Sequence, residues 1–405
     1  MDAASRSAVH VTYSIQKVNI SYRPVAMAAS GTNADLSNWR THPHSEYGFA
    51  NVDKLLATQT IKKTSQPSPS FEKSSKTLDK FALKTRDGKV LNITDFLVDS
   101  HTDGFLVLHN GKRVHEWYAH GNNEKTKHIM MSMTKSVVGL VTGILVGQGL
   151  IDPDAKVTIY LPELKETSYK EVTVRHLLDM RAGIQYDDSS HDYRVAFGVE
   201  PRHEGEKETN FIDFLKTFNP PTVSPGGAFT YLSVNTDVLG MVLEKASGKK
   251  LSELISEYIW EPIGAEDDAL ITVDSAGNPR GAGGMCSTVE DLGRLGQALL
   301  SDSLVPKAWL DDILHGGDTE AFAAGSFAPL VSPFGGAKFA YRSCWTVSGE
   351  LGIMIALGIH GQTLLIDRKA DIVLAKTSSQ PDPVMKLASA VQGFLEIKRV
   401  LTESS

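Results

Sequence analysis

The chain is poor in cysteine and in long apolar runs. Its 405 residues contain two cysteines, Cys286 and Cys344, which is too few for a disulfide framework and lacks the spacing of metal ligands. The longest apolar stretch, from Ser136 to Ile151, is interrupted by four glycines and two polar residues. It is therefore shorter than the ~20 apolar residues that span a bilayer.

Blocks of like charge are also missing. The formal net charge of −7 is spread along the chain, which argues against nucleic acid or an anionic membrane as the partner. The N-terminal residues lack the apolar core of a signal peptide, so we expect a cytoplasmic location. With no G-x-S-x-G elbow, phosphate loop, H-E-x-x-H or Cys/His cluster, the sequence predicts neither a cofactor nor a metal.

What is present is typical of a globular chain with a large core, at 41% apolar and 22% charged residues. Residues 1–80 end in a Ser/Pro-rich stretch and are expected to form a partly ordered arm and linker. Strands near both ends with helices between them predict an α+β fold, an antiparallel sheet flanked by helices. We expect the sheet subdomain to comprise residues 81–170 and 275–405, and an all-helical subdomain to comprise 171–274.

Three local signals are specific. Asn110-Gly111 lies between two β-rich runs and predicts a tight hairpin. Gly248 predicts the end of one helix, and Ser287 or Thr288, followed by acidic residues, predicts the start of another.

The stretch "MMSMTKSVVGLVTGILVGQGL" (130–150) places Ser132 and Lys135 three positions apart at the start of an apolar helix, where they share one face. The helix N-terminus favours a developing oxyanion, and burial lowers the pKa of an amine, so the two residues could act as nucleophile and base. The S-x-x-K pattern recurs in polar surroundings at Ser14, Ser70 and Ser247. A lysine that only snorkels to solvent stays open as the alternative.

Two further elements could complete such a site. Tyr231 follows a Pro-Gly-Gly loop directly before a helix, where a nearby ammonium would lower its pKa and let it shuttle a proton; a merely packed tyrosine is the alternative. The strand "ALGIHGQTLLID" contains Gly358, which is typical of a close backbone approach. The amide of Ile359 could then pair with that of Ser132 as an oxyanion hole, and His360 is either a substrate contact or a structural histidine.

"SMTKS", "FTYLSVNTDVLG" and "GIHGQ" occur in an order that resembles the serine β-lactamase and penicillin-binding-protein family, and most of all its 6-aminohexanoate-dimer hydrolase type. The resemblance continues through "NWRTHPH", "VTVRHLLDMRAGI", "YIWEPIGAEDDA", "GAGGMCSTVEDLGRLGQALL" and "CWTVSG" and covers about Asn38 to Ser379. It implies a β-lactamase/transpeptidase-like fold. The catalytic positions that it implies are Ser132, Lys135 and Tyr231, with oxyanion amides at Ser132 and Ile359. The substrate-binding positions that the resemblance implies are Ser233, Trp345 and Tyr186. Gly358 and His360 of the strand are added to them as candidate substrate-binding positions.

The chain departs from penicillin-recognising members in two places. Ala356 stands where their Lys-Thr-Gly lysine would lie, and Ser233 replaces an asparagine, so a β-lactam carboxylate would lose its cationic partner. A substrate-covering tyrosine of the nylon-oligomer enzymes falls on either Tyr186 or Tyr193. "GAGGM" (281–285) lacks the spacing of a dinucleotide fingerprint and is expected to form a turn near the site rim.

These observations predict a serine hydrolase of the amidase or carboxylesterase type, acting on a small-molecule amide or ester through an acyl-enzyme. An acyltransferase that passes the same acyl group to an alcohol or amine is the alternative, and a β-lactamase, a DD-peptidase or a catalytically silent homologue is less favoured. No nucleic acid or membrane partner is expected, and a homodimer stays open.

Overall fold

The computed structural model describes residues 33–85, 87–219, 223–384 and 386–403. The predictions made for the N-terminal leader and for the first part of the arm concern residues 1–32, which lie outside the described residues.

The described chain contains runs of strands near both ends and a run of helices between them. The strands are β1 (Thr58–Ile61), β2 (Leu83–Lys84), β3 (Val90–Leu91), β4 (Thr102–His109), β5 (Lys112–Tyr118), β6 (His128–Ile129), β7 (Ala269–Thr272), β8 (Met285–Ser287), β9 (Ala340–Arg342), β10 (Trp345–Ser348), β11 (Ile353–Gly358), β12 (Gln362–Asp367) and β13 (Ile372–Ser378). The α-helices are α1 (His44–Gly48), α2 (Ile93–Asp99), α3 (Met133–Gly147), α4 (Val157–Tyr160), α5 (Val174–Leu178), α6 (His191–Ala196), α7 (Phe211–Leu215), α8 (Ser233–Ser247), α9 (Leu251–Ile255), α10 (Val289–Leu300), α11 (Lys307–His315), α12 (Thr319–Ala323) and α13 (Leu387–Glu403). A π-helical turn, Ser256–Trp260, follows α9.

The main sheet has seven strands in the order β5-β4-β13-β12-β11-β10-β9, and each neighbouring pair is antiparallel. Its hairpin turns at Asn110 and Gly111, which have φ angles of 51° and 69°. Positive φ at both positions is what a two-residue turn with the right strand twist needs. The Asn110-Gly111 hairpin is thus confirmed.

This sheet is covered on both faces. Along β4, Leu106 and Leu108 join one apolar cluster and Phe105 and Val107 the other, because successive side chains of a strand point to opposite faces. Helix α10 packs on β4, β12 and β13, and α13 contributes Phe394 to the second cluster. The predicted class, an antiparallel sheet flanked by helices, is confirmed.

A second sheet was not predicted. Four short strands in the order β1-β7-β8-β6 form it, and a two-strand ribbon, β2-β3, forms a third sheet. Strand β1 lies inside the expected arm and linker, and β7 lies inside the stretch 171–274 that was expected to be helical. The arm therefore enters the body of the fold as an edge strand.

Helix boundaries follow local chemistry. Thr288 is the residue that starts α10, and its side chain accepts a hydrogen bond from the amide of Asp291, as a helix N-cap does. Helix α8 ends at Gly248, whose φ is 71°, a conformation that glycine adopts without strain. Both predicted boundaries are confirmed.

Both cysteines are free thiols buried in the core. Burial raises the pKa of Cys344 to about 12 and raises the pKa of Cys286 further. Among the described helices, none has the length and hydropathy that crossing a membrane requires.

Candidate active site

The prospective nucleophile lies at a sharp bend between β6 and α3. Met131 has a φ of 46°, which is an uncommon conformation for a residue other than glycine. The bend places Ser132 as the residue that precedes the first turn of α3, where backbone N–H groups have no acceptor within the helix. Ser132 is half-buried, so its hydroxyl lies at the surface of the core.

Lys135 lies one turn further along α3 and is 1% exposed. Its Nζ donates hydrogen bonds to Ser132 Oγ at 2.8 Å, to the carbonyl oxygen of Ala282 at 2.7 Å and to Ser233 Oγ at 3.2 Å. Burial lowers the pKa of Lys135 to about 8, although Asp188 and Asp237 oppose the shift. A pKa close to physiological pH makes the neutral amine accessible, as a general base towards a serine hydroxyl requires. The alternative of a snorkelling lysine is thereby excluded.

Tyr231 completes the cluster. Its phenol lies near enough to Ser132 for that hydroxyl to act on the pKa of the phenol. Its ring stacks on Phe327 with centroids 4.4 Å apart, and Lys135 Nζ lies 4.9 Å from its ring centroid. Burial raises the pKa of Tyr231 well above its usual value. The prediction that a nearby ammonium lowers this pKa is wrong, because desolvation dominates. Tyr231 is therefore a neutral phenol that can donate a proton.

The end of β11 lies directly against the nucleophile segment. A Cβ atom added to Gly358 would lie 2.6 Å from the carbonyl oxygen of Met130, so only glycine permits this approach. Ile359, the next residue, begins a 3-10 turn. The close approach that Gly358 predicted is confirmed, and it brings the backbone at Ile359 close to the segment that carries Ser132.

The side chain of Ser233 is a hydrogen-bond partner of Lys135. Its Oγ contacts Lys135 Nζ, as given above, and its amide donates to Asp188 Oδ2 at 2.5 Å. The other carboxylate oxygen of Asp188 is buried without a hydrogen-bond partner among the described residues. Asp188 was not predicted, since the sequence between residues 186 and 205 matches the family pattern poorly.

A second carboxylate, that of Asp237, contacts Lys135 indirectly through the backbone of Ala282. Asp237 accepts the phenolic hydrogen of Tyr193 at 2.6 Å and the amide hydrogen of Ala282 at 2.7 Å. Ala282 is the residue whose carbonyl accepts from Lys135, so Asp237 fixes the peptide that holds the amine. Burial raises the pKa of Asp237 to about 6. The expected turn at "GAGGM" is confirmed, although its contact with Lys135 was not foreseen.

Two of the predicted substrate contacts are buried side chains. Trp345 is fully buried at 0% exposure, and its contact with a substrate stays a prediction. His360 is 3% exposed, its Nδ1 contacts the carbonyl oxygen of Gln380 at 2.7 Å, and burial lowers its pKa to about 4. These contacts favour the structural role for His360.

Two tyrosines were candidates for covering the substrate. Tyr193 is buried, and its hydroxyl donates a hydrogen bond to Asp237. Tyr186 is half-buried, its hydroxyl contacts Ser190, and its ring packs against Phe214 and Phe218. Tyr186 also lies two residues from Asp188 in the sequence. Its role as the tyrosine that covers the substrate therefore stays a prediction.

One group of possible metal ligands lies outside this cluster. Ligand atoms of His191, His203 and Glu206 lie within 4.8 Å of one another. Both ring nitrogens of His191 already contact carboxylates, at 3.2 Å to Glu200 and 3.0 Å to Glu206. A cavity of about 1400 Å³ lies along β5 and is lined by residues such as Trp117 and Glu290; Ser132, Lys135 and Tyr231 are not part of it.

A helix-flanked antiparallel sheet with a serine, a lysine and a tyrosine in mutual contact beside a glycine-containing strand defines the class of β-lactamase/transpeptidase-like proteins. The Beta-lactamase family model matches residues 95–392. The chain belongs to the β-lactamase family.

Individual relatives narrow the similarity. The chain is 32% identical to the 6-aminohexanoate-dimer hydrolase of Paenarthrobacter ureafaciens over 92% of its own length and 95% of that protein. It is 30% identical to Esterase EstB of Burkholderia gladioli over a shorter part, 37% of this chain and 40% of that one. A solved structure from Bacillus anthracis, assigned to the 6-aminohexanoate-dimer hydrolases, superposes with a TM-score of 0.83 at 27% identity over 92% of this chain and 98% of that one.

Proposed function

We propose that the protein is a serine hydrolase that cleaves an amide or ester of a small molecule through an acyl-enzyme on Ser132. The observation that carries the proposal is the contact between a buried lysine with a lowered pKa and the hydroxyl of a serine at a helix N-terminus. The family and the similarity to an amidase and an esterase support hydrolysis as the reaction type.

In the first half of the reaction, neutral Lys135 accepts the hydroxyl proton of Ser132 while Oγ attacks the carbonyl carbon of the substrate. The backbone N–H groups of Ser132 and Ile359 donate to the oxyanion of the tetrahedral intermediate. When the intermediate collapses, the bond from carbon to the leaving nitrogen or oxygen breaks. The phenol of Tyr231 protonates the leaving group, and the ammonium of Lys135 returns a proton to Tyr231.

In the second half, a water molecule attacks the acyl carbon. Lys135, neutral again, accepts a proton from the water, the bond between the carbon and Ser132 Oγ breaks, and the ammonium of Lys135 returns that proton to Ser132 Oγ. The free acid leaves. Both halves use the same pair of residues, because forward acylation and deacylation pass through equivalent tetrahedral intermediates.

The same acyl-enzyme could be captured by an alcohol or an amine instead of water, so acyl transfer remains the alternative function. Nothing in the contacts of Lys135 and Tyr231 distinguishes the acceptors. Product analysis with an added alcohol separates the two functions: exclusive release of free acid removes the transferase alternative.

Two residues disfavour β-lactams. Ala356 is an alanine buried in β11, and Ser233 is occupied by Lys135, so neither offers a cation or an amide to the carboxylate of a penicillin. We propose linear amides and esters as the substrate class. A cytoplasmic location and a homodimer are also proposals, which fractionation and light scattering would test.

The test is a substrate panel with acyl-enzyme trapping. We expect turnover of para-nitrophenyl esters and of linear amides, slower or absent turnover of β-lactams, and a single adduct from a fluorophosphonate that maps to Ser132 by peptide mass analysis. Ser132→Ala should lose both turnover and adduct. An intact, folded protein that forms no adduct, or a Ser132→Ala variant with unchanged turnover, would remove the proposed function in favour of a silent homologue.

A further inference from the structure

A cluster of histidines and carboxylates connects the start of α6 to the loop that follows it. His191 is the first residue of α6, and His203 and Glu206 lie between α6 and α7. One ligand atom from each of the three side chains lies within 4.8 Å of the other two. Imidazole nitrogens with a carboxylate oxygen are a donor set that suits zinc. Their spacing, His-x11-His-x2-Glu, matches no standard metal motif, so the sequence did not predict a site here.

The distance between His191 and Glu206 fits a shared ion. Nε2 of the imidazole lies 3.0 Å from Oε2 of the carboxylate. Two ligand atoms on one tetrahedral zinc ion lie about 3.3 Å apart, because each bond to the metal is about 2.0–2.1 Å long. A zinc ion can therefore replace the proton between these two atoms if they separate by a few tenths of an ångström.

The other ring nitrogen of His191 has the partner that a zinc-bound imidazole requires. Nδ1 contacts Glu200 Oε1 at 3.2 Å, and Arg194 holds the same carboxylate with Nη1 3.3 Å from Oε2. A histidine that binds a metal usually donates its second ring N–H to a carboxylate, which fixes the tautomer and the orientation of the ring. When Nδ1 donates to Glu200, the lone pair of Nε2 is directed at Glu206. The surroundings of His191 thus favour a metal at Nε2.

His203 can supply the third ligand. Its ring stacks on that of His191 with centroids 3.9 Å apart, and its backbone N–H donates to Glu206 Oε2 at 2.8 Å. The side chain of His203 is exposed, so its ring can rotate out of the stack and direct a nitrogen at the ion. Three protein ligands leave a fourth position for water, and the charge of the ion offsets the carboxylates of Glu200 and Glu206.

We propose that His191, His203 and Glu206 bind one zinc ion. The ion cross-links α6 to the loop after it. Helix α6 directly follows residues 186–190, the stretch that carries Asp188, whose carboxylate accepts a hydrogen bond from the amide of Ser233. Zinc binding therefore stabilises a segment that continues from the edge of the candidate active site. The inference does not depend on the proposed function, because no step of hydrolysis uses the ion.

The direct test is zinc binding by protein that has been stripped with EDTA and carries no histidine tag. Calorimetry should give one ion per chain with a Kd of about 10 µM or tighter. Cobalt(II) in the same site should show the visible absorption bands of a tetrahedral complex, and zinc should displace it. At a free zinc concentration about 100-fold above Kd, the melting temperature should rise by about 3 °C. No binding, or only adventitious binding weaker than this Kd, would overturn the inference.

Variants assign the ion to these side chains. His191→Gln and His203→Gln should each weaken zinc binding by about 100-fold or more, and Glu200→Gln, which changes only the partner of Nδ1, should weaken it by about tenfold. His315→Gln is the matched control, because His315 is an exposed histidine on α11 outside the cluster, and it should bind zinc like the wild type. Melting curves without metal verify that each variant is folded. Unchanged affinity in folded His191→Gln and His203→Gln variants would place the ion elsewhere and overturn the inference.

Hydrogen exchange locates the effect in the chain and needs no substrate. Zinc should slow amide exchange across residues 191–206 of the wild type, EDTA should reverse the slowing, and the His203→Gln variant should show none. Absence of slowing in this segment at saturating zinc would overturn the cross-link. If zinc binds in this way while no ester or amide is hydrolysed, the hydrolase proposal fails and the metal site stands. If hydrolysis occurs and zinc does not bind, the metal site fails and the proposed function stands.

Discussion

Two buried lysines of this protein have similar chemistry and different surroundings. Lys135 on α3 and Lys376 on β13 are each 1% exposed, and burial lowers their pKa values to about 8 and about 7. Each donates to a serine hydroxyl, Lys135 to Ser132 and Lys376 to Ser378. The protein thus contains two Ser–Lys pairs with a depressed lysine pKa.

The two pairs differ in the solvent exposure of the serine. Ser378 is 0% exposed and lies within β13, whereas Ser132 is half-buried and precedes a helix. Lys376 also donates to the carbonyl oxygen of Gly361 at 3.2 Å, so it supports the turn after Gly358. A lowered lysine pKa is therefore common to the proposed catalytic site and to a structural environment; access to the serine distinguishes them.

Matched substitutions of the two lysines give the largest expected contrast. Lys135→Met should reduce kcat/KM by about 10³-fold or more, because the base that activates Ser132 is lost. Lys376→Met should leave kcat/KM within about tenfold of wild type, since Lys376 acts on activity only through the turn at Gly361. Initial rates with a para-nitrophenyl ester measure both. Equal losses would mean that the two environments do not differ in function.

The tyrosines offer a second contrast. Tyr231→Phe should reduce kcat for an amide by about 10²-fold or more, because the leaving amine loses its proton donor. Tyr341 packs edge-on against Tyr231 with centroids 6.0 Å apart, so Tyr341→Phe is the matched control and should cost less than tenfold. A larger loss in the control than in Tyr231→Phe would contradict the assigned role.

The pH profile tests the state of Lys135. With its pKa at about 8, the neutral, active form increases as pH rises, so kcat/KM should increase up to about pH 8 and level off above it. The apparent value belongs to the coupled Ser–Lys–Tyr set rather than to the lysine alone. Initial rates measured between pH 6 and 10 give the pH dependence of kcat/KM. A value of kcat/KM that falls over this range would contradict a neutral lysine base.

The smallest effect concerns stability. Lys376 has a pKa of about 7 in the folded protein, below its ordinary unfolded value, so between these two values the unfolded state binds more protons. Stability attributable to Lys376 therefore rises with pH above about 7. Lys376→Met should reduce this rise by up to about 1.4 kcal/mol per pH unit. Urea unfolding of both proteins at pH 7, 8 and 9 measures the slopes, and identical slopes would mean that Lys376 is not buried as an amine.

Local signals in the sequence predicted the parts of the fold that depend on neighbouring residues. The hairpin at Asn110-Gly111 follows from backbone preference, and the start of α10 at Thr288 follows from side-chain capping. The four-stranded sheet was missed because its strands have two to four residues, too few for an alternating pattern to be recognised. Pairing between β1 and β7 joins segments about 200 residues apart.

The candidate active site also contains parts that local sequence signals predicted and parts that they did not. Ser132, Lys135 and Tyr231 were predicted because each lies in a recognisable motif, while the supporting contacts were not. Lys135 and the carbonyl of Ala282 are 147 residues apart, and no local pattern encodes such a pairing. The direction of the Tyr231 pKa shift was also missed. Burial of the phenol is the largest cause of that shift, and the burial of a side chain depends on contacts that a local motif does not encode.

The two sealed thiols have a practical consequence. Because Cys286 and Cys344 are both buried and their pKa values are raised, maleimides and iodoacetamides will react with them slowly. A cysteine introduced at an exposed position on the rim, for example beside Tyr186, can then carry a single fluorophore without prior removal of the native cysteines. Entry of a substrate could be followed in real time with such a reporter.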